Sequence, residues 1–168
     1  MRRVILAIVA VLFTAGFASA QNYMVVDSEK VFKSLAEYNS ALVQIDNLTK
    51  SYQEAVDAKF QEVENLYNNY MQQRAYLSSS SRQQVEQQIL DLEAQATEYQ
   101  ESLFGADGEL MKRRMELIQP IQTKVFTAIE NFSKQYGYDL VIDIAANPTV
   151  LYYSDKVNFT ERIIESLK

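Results

Sequence analysis

Residues 35–77 read LAEYNSALVQIDNLTKSYQEAVDAKFQEVENLYNNYMQQRAYL, a stretch without glycine or proline whose apolar residues recur at alternating spacings of three and four. With Leu35 at heptad position a, the a positions are Leu35, Leu42, Thr49, Val56, Val63, Tyr70 and Leu77, and the d positions are Tyr38, Ile45, Tyr52, Lys59, Leu66 and Gln73. This is the pattern of a long helix that buries one stripe against a partner helix. The partner follows at once. After Ser78-Ser79-Ser80-Ser81 the period restarts as Val85, Ile89, Leu92, Ala96, Tyr99 and Leu103, and Ser81 with Gln84 fits a capping box that predicts the start of a second helix. A short polar connection between two such helices predicts an antiparallel hairpin. Folding about the serines sets Tyr70 opposite either Ile89 or Leu92, and the sequence leaves both registers open.

Outward from the hairpin the signals change. Gly105-Ala106-Asp107-Gly108 interrupts the second helix, as a hinge or as a close-packing site, because each glycine costs about 1 kcal/mol relative to alanine in a helix. Pro120 lacks an NH and is expected to kink the chain near Ile118-Gln119, where hairpin gives way to a smaller body. Ile121, Val125, Ile129, Phe132 and Tyr136 keep one helical face apolar as far as Gly137, a residue suited to the left-handed turn that ends a helix. The period then becomes two. Tyr138, Leu140, Ile142 and Ile144 alternate with Asp139, Val141 and Asp143 as a half-buried strand, Asn147-Pro148 makes a turn, Val150 to Tyr153 reads as a further strand, and Thr160 is placed to cap a last helix.

On the other side, Tyr23-Met24-Val25-Val26 is a short strand that leads into a helix capped by Asp27 or Ser28. Before it, Met1-Arg2-Arg3, an apolar run from Val4 to Phe17 and Ala18-Ser19-Ala20 have the three parts of a secretory leader, which predicts cleavage between Ala20 and Gln21 and export. The expected organisation is therefore a leader at 1–20, a body at 21–34 and 119–168, and helical arms at 35–118. The fold class is α+β, mostly α, with the hairpin inserted into a small body of short strands. Three short strands form an undersized core for arms of this reach, so association through strand residues Met24, Val26, Leu140, Ile142, Ile144 and Leu151 is expected.

The chain contains neither histidine nor cysteine, which removes the commonest general base, the usual nucleophile pair and nearly all zinc sites. Asp139 and Asp143 share a strand face but read as a solvated edge, and Gly105 and Gly108 lack the lysine and preceding strand of a phosphate loop. No enzyme, metal or cofactor is expected. Residues 35–118 carry 14 acidic and 7 basic side chains, a net of −7, which argues against nucleic acid and anionic membrane as primary partners.

The strand Met24 to Asp27 with its Val26-Asp27-Ser28 lead-in, the hairpin, the Phe104 to Leu110 segment, the Pro120-Ile121 junction and Gly137-Tyr138-Asp139 together resemble the Skp/OmpH periplasmic chaperone family. The resemblance covers essentially the whole chain after the leader. It implies a jellyfish-like homotrimer with a β-barrel body and three helical tentacles around a cavity, holding unfolded outer-membrane proteins in the periplasm without ATP. An envelope adaptor that docks its hairpin on a folded partner is the alternative. The chain is more acidic than the basic members of that family.

Several apolar residues are left unexplained by the seam. Leu48 and Tyr76 fall at g, Phe60 and Tyr67 at e and Met71 at b, while Leu90, Phe104, Met111 and Ile118 flank the seam further along the chain. Either they widen the cover of the seam, or Leu48, Phe60, Tyr67, Met71, Tyr76, Leu90, Phe104 and Met111 form an adaptable contact surface for unfolded chains.

Overall fold

A computed structural model describes residues 22–145 and 147–168; the leader and its cleavage site lie outside the described residues. Among the described residues the chain is mostly helical with one small sheet. In order come β1 (Tyr23–Val26), α1 (Ser28–Ser34), α2 (Ala36–Gln73), α3 (Ser79–Phe104), α4 (Glu109–Tyr136), β2 (Leu140–Asp143), a 3-10 turn (Asp155–Val157) and α5 (Thr160–Ser166). The contacts divide into two compact units, one of the described residues up to Val31 with Val125–Lys168, the other Phe32–Lys124.

In the second unit the long helices pack on each other, and α2, with 38 residues, is roughly 57 Å long at 1.5 Å per residue. Two contacts fix the register. Tyr70 donates its hydroxyl to Glu86, and Tyr52 meets Phe104 edge to face with ring centroids 6.4 Å apart. Eighteen residues separate Tyr52 from Tyr70 and eighteen separate Glu86 from Phe104, five full turns on each helix. The two helices therefore run antiparallel without a slip, and Ile89, not Leu92, shares a groove with Tyr70.

The buried residues of α2 are Ala41, Ile45, Val56 and Tyr70, while Lys59 and Gln73, polar at d, stay exposed. Leu42, an expected seam residue, is exposed, with Ala41 buried in its place. At 100° per residue Leu42 lies about 40° to one side of Val56 and Ile45 about 20° to the other, so the contact line runs past Leu42.

The helix ends differ in detail from the sequence reading. Ser78, not Ser81, is the cap of α3: its hydroxyl accepts from the Ser81 NH at 3.2 Å, and the helix begins three residues before the expected start. Any of the four serines can accept such a bond, and using the first adds most of a turn of backbone hydrogen bonds. At Leu35 the chain breaks between α1 and α2, and the Asn39 side-chain amide donates to the Lys33 carbonyl at 2.8 Å to close the end of α1. The expected interruption at the glycines is present. A Cβ on Gly108 would sit 2.7 Å from the Leu103 carbonyl oxygen, so the tight return of the chain there excludes any side chain. α4 runs as one helix from Glu109 through Pro120 to Tyr136.

In the first unit β1 pairs with β2 in parallel, Tyr23 with Leu140 through Val26 with Asp143, a pairing that needs the long helical crossover between them. Met24, Val25 and Val26 are essentially inaccessible and pack in a core with Val31, Val125, Phe132, Ile163 and Ile164. α4 ends as expected at Gly137, where φ is +73° and the Tyr138 NH donates to the Ser133 carbonyl at 2.9 Å. Phe132, Tyr138 and Phe159 form an aromatic cluster covered by the Arg162 guanidinium, 4.9 Å from the Phe132 centroid and 4.5 Å from that of Tyr136.

Two expectations for this unit are corrected. Val150 to Tyr153 forms no strand; the free side of β1 instead meets Asn158 in a single parallel bridge, followed by the Phe159 NH bonded to the Val25 carbonyl at 3.0 Å. A strand exists only where a neighbouring ladder accepts it, and within the chain that place is taken. Thr160 does not cap α5 with its own side chain. Its hydroxyl accepts from the Asp27 NH at 2.9 Å and donates to Asn158 at 2.7 Å; Asn158 also accepts the Thr160 NH at 3.1 Å, and the N-cap position is held by Phe159, whose side chain makes no cap bond.

Asp27 caps α1 as expected, accepting the Lys30 NH at 2.9 Å. Asp143 is structural rather than merely solvated: it accepts from the Ser28 hydroxyl at 2.6 Å, the Ser28 NH at 3.1 Å and the Ala145 NH at 3.0 Å. Partial burial pushes its carboxyl up, but the bonds from Ser28 and Ala145 outweigh burial and hold it below the ordinary aspartate range. A depressed folded value stabilises above the unfolded value and is lost as pH falls through the folded one. Asp143→Ala is therefore expected to cost about 1 kcal/mol at neutral pH, after discounting for exposure. Its difference from wild type should shrink below about pH 4, as read by urea denaturation at both pH values. An undiminished gap in acid would mean that the carboxylate charge contributes nothing.

Candidate functional site

The surface with unexplained apolar area lies on the hairpin unit. At 100° per residue Leu42, Phe60, Tyr67 and Met71 fall within about 40° of one another, forming one flank of α2 beside the buried stripe. All four are at least one-third exposed, Tyr67 and Met71 to 48%. Leu48 lies on the opposite flank and is half-buried. Tyr76, beyond the end of α2, is 91% exposed.

On α3, Leu90 is 58% exposed and projects from the side of the seam. Phe104 is half-buried against Tyr52, so part of its ring is committed to the helix pair. On α4, Met111 is exposed, and so is Met115 one turn on. Sequence reasoning passed over Met115 and Leu42, the first because only sevenfold spacings were followed, the second because its heptad position assigned it to the seam.

Three of the candidate residues come together. Tyr67, Met71 and Leu90 line an open groove of about 370 Å³ with Tyr70, Ile89 and two charged residues, Arg74 and Glu86. The spacing explains the shape: Tyr67, Tyr70, Met71 and Arg74 are at i, i+3, i+4 and i+7 on α2 and its cap, and Glu86, Ile89 and Leu90 at i, i+3 and i+4 on α3. Tyr70 forms the floor, only 6% exposed, and its hydrogen bond to Glu86, with desolvation second, raises its phenol above the ordinary tyrosine value. Such a groove offers apolar area with a soft methionine edge and no fixed geometry, suited to weak contact with varied side chains. Among the described residues no cluster of three or more aspartates or glutamates is arranged to hold a metal ion.

The strand residues expected to mediate association separate into two groups. Met24 and Val26 are fully buried in the core of their own chain, whereas Leu140 and Leu151 are open to 56% and 93%, and Ile142 and Ile144 are half-buried.

Comparison with known proteins accounts for almost all of the described chain. Two relatives named Chaperone protein Skp, from Photorhabdus luminescens and from Photorhabdus laumondii subsp. laumondii, are each 22% identical to it over 160 residues, covering 95% of this chain and 93% of theirs. The model of the family described as Outer membrane protein (OmpH-like) matches residues 22–167. With its strand-to-helix lead-in, paired helices and closing strand all within that span, the chain belongs to the OmpH-like family.

Proposed function

We propose that this protein is an ATP-independent holdase of the periplasm, exported by cleavage after Ala20, which keeps unfolded outer-membrane proteins from aggregating until they are inserted. The observation that carries the reading is the exposed apolar flank of α2, Leu42, Phe60, Tyr67 and Met71, which lies outside the single buried stripe of the hairpin. The names of the Photorhabdus relatives agree with it. Contacts of this kind are individually weak, which suits release without a nucleotide cycle. The resemblance to the family further implies a trimer built on the strand-bearing unit, with hairpins around a shared cavity. Binding rather than catalysis is the activity proposed.

The test is dilution of several unrelated, urea-denatured β-barrel proteins into buffer without nucleotide, followed by light scattering, using protein from the periplasmic fraction whose intact mass lacks residues 1–20. Suppression at stoichiometric ratios is expected. Changing Phe60, Tyr67 and Met71 together to serine should weaken suppression several-fold while the helical circular dichroism and the oligomer mass stay unchanged. Wild-type protein that leaves aggregation unchanged and binds one folded envelope protein would establish the adaptor reading instead. Loss of helicity in the triple variant would place these side chains in the seam.

A further inference from the structure

The groove between the ends of α2 and α3 differs electrostatically from the rest of the hairpin. Between Glu64 and Glu86 the chain has no acidic side chain and two arginines, Arg74 and Arg82, while the hairpin as a whole is strongly acidic. Of the two charges lining the groove, Glu86 is engaged by the Tyr70 hydroxyl, and Arg74 lies close enough to act on the same phenol. Arg74 follows the last residue of α2, where a cation is favoured by the helix dipole, and its guanidinium has five donors to share. The groove is thus an apolar trough whose charged lining is Arg74 together with Glu86, the carboxylate that accepts from the Tyr70 hydroxyl.

We propose that this groove is a subsite for an aromatic or large aliphatic side chain adjacent in sequence to an acidic residue. The apolar group lies on Met71 and Leu90, and the neighbouring carboxylate pairs with Arg74. The inference rests on the holdase reading and adds a preference to it. Strands of a membrane barrel alternate a lipid-facing apolar residue with a polar lumenal one, so an unfolded barrel chain presents an apolar group next to a polar or charged one. Along α2 and α3 acidic side chains outnumber basic ones, so a client segment carrying a carboxylate is repelled over most of the helix pair and least near Arg74 and Arg82. Charge complementarity would therefore place such segments here.

The processed chain has four methionines, at 24, 71, 111 and 115, so carbon-13 methyl labelling gives a resolved reporter in the groove and a buried control at Met24. The probes are blocked tetrapeptides, acetyl-Gly-Phe-Asp-Gly-amide and acetyl-Gly-Phe-Lys-Gly-amide, titrated at low ionic strength. The Met71 methyl is expected to move with both, at about threefold lower concentration for the Asp peptide, the scale of an exposed ion pair. Met24 should stay still. The preference should close at about 1 M salt, disappear in Arg74→Gln and reverse in Arg74→Glu, with circular dichroism confirming that both variants are folded.

An unmoved Met71, equal response to the two peptides, or a preference that survives in Arg74→Gln overturns the subsite. Running the aggregation assay on the same preparation separates the two claims. Suppression with a silent Met71 defeats the subsite alone, and a selective Met71 without suppression supports the subsite while defeating the holdase.

Discussion

Val56→Asp is expected to unfold the helical hairpin. Val56 is 2% exposed and lies near the middle of α2, on the stripe that α2 turns away from solvent. A carboxylate there loses its water and gains no partner, and a seam one stripe wide has no second layer in which to rearrange. A cost of about 3 kcal/mol or more follows. The expected result is loss of much of the helical circular dichroism and fast proteolysis between residues 36 and 104. Val56→Ala, which removes methyl groups without adding charge, should cost about 1–2 kcal/mol and leave the hairpin folded at room temperature. Wild-type helicity and protease resistance in Val56→Asp would show that this stripe is not where the helices meet.

Leu140→Asp is expected to dissociate the proposed trimer while each chain stays folded. Leu140 is on β2 but 56% exposed in the single chain, so a charge there has water within the chain and meets a desolvating surface only on assembly. Sedimentation should report a mass near one third of that of the wild type, with unchanged circular dichroism. Ile142→Asp discriminates less well, because Ile142 is half-buried in its own chain and the change acts on folding and assembly together. Met24→Ala supplies the opposite case. Met24 is fully buried, and its truncation leaves a cavity expected to cost about 2–5 kcal/mol in urea denaturation whatever the oligomeric state. An unchanged mass in Leu140→Asp would move the interface away from β2.

What the sequence determined is what local physics determines. The three-four period of residues 35–77 and its restart after the serines specify two helices with one buried stripe each, because side-chain direction follows from backbone geometry alone. Asp27 as a cap, the break at Gly105 to Gly108 and the left-handed end at Gly137 were legible for the same reason: each depends on a residue's own conformational and hydrogen-bonding limits. The candidate surface was legible only by subtraction, as apolar residues the seam had no use for.

Only the tertiary structure decided the rest. The register of α2 on α3 depends on which pairs meet, and the Tyr70 to Glu86 and Tyr52 to Phe104 contacts chose between alternatives three residues apart. Strand alternation named a face for Leu140 and Ile142 but not whether a core covers it, and the core went to β1 instead. Val150 to Tyr153 had the composition of a strand but no ladder to join, and Thr160 had the chemistry of a cap but was engaged by Asp27 from across the fold. The groove that gathers Tyr67, Met71 and Leu90 under Arg74 belongs to the same class, because two faces separated along the chain share a site only once the register is set.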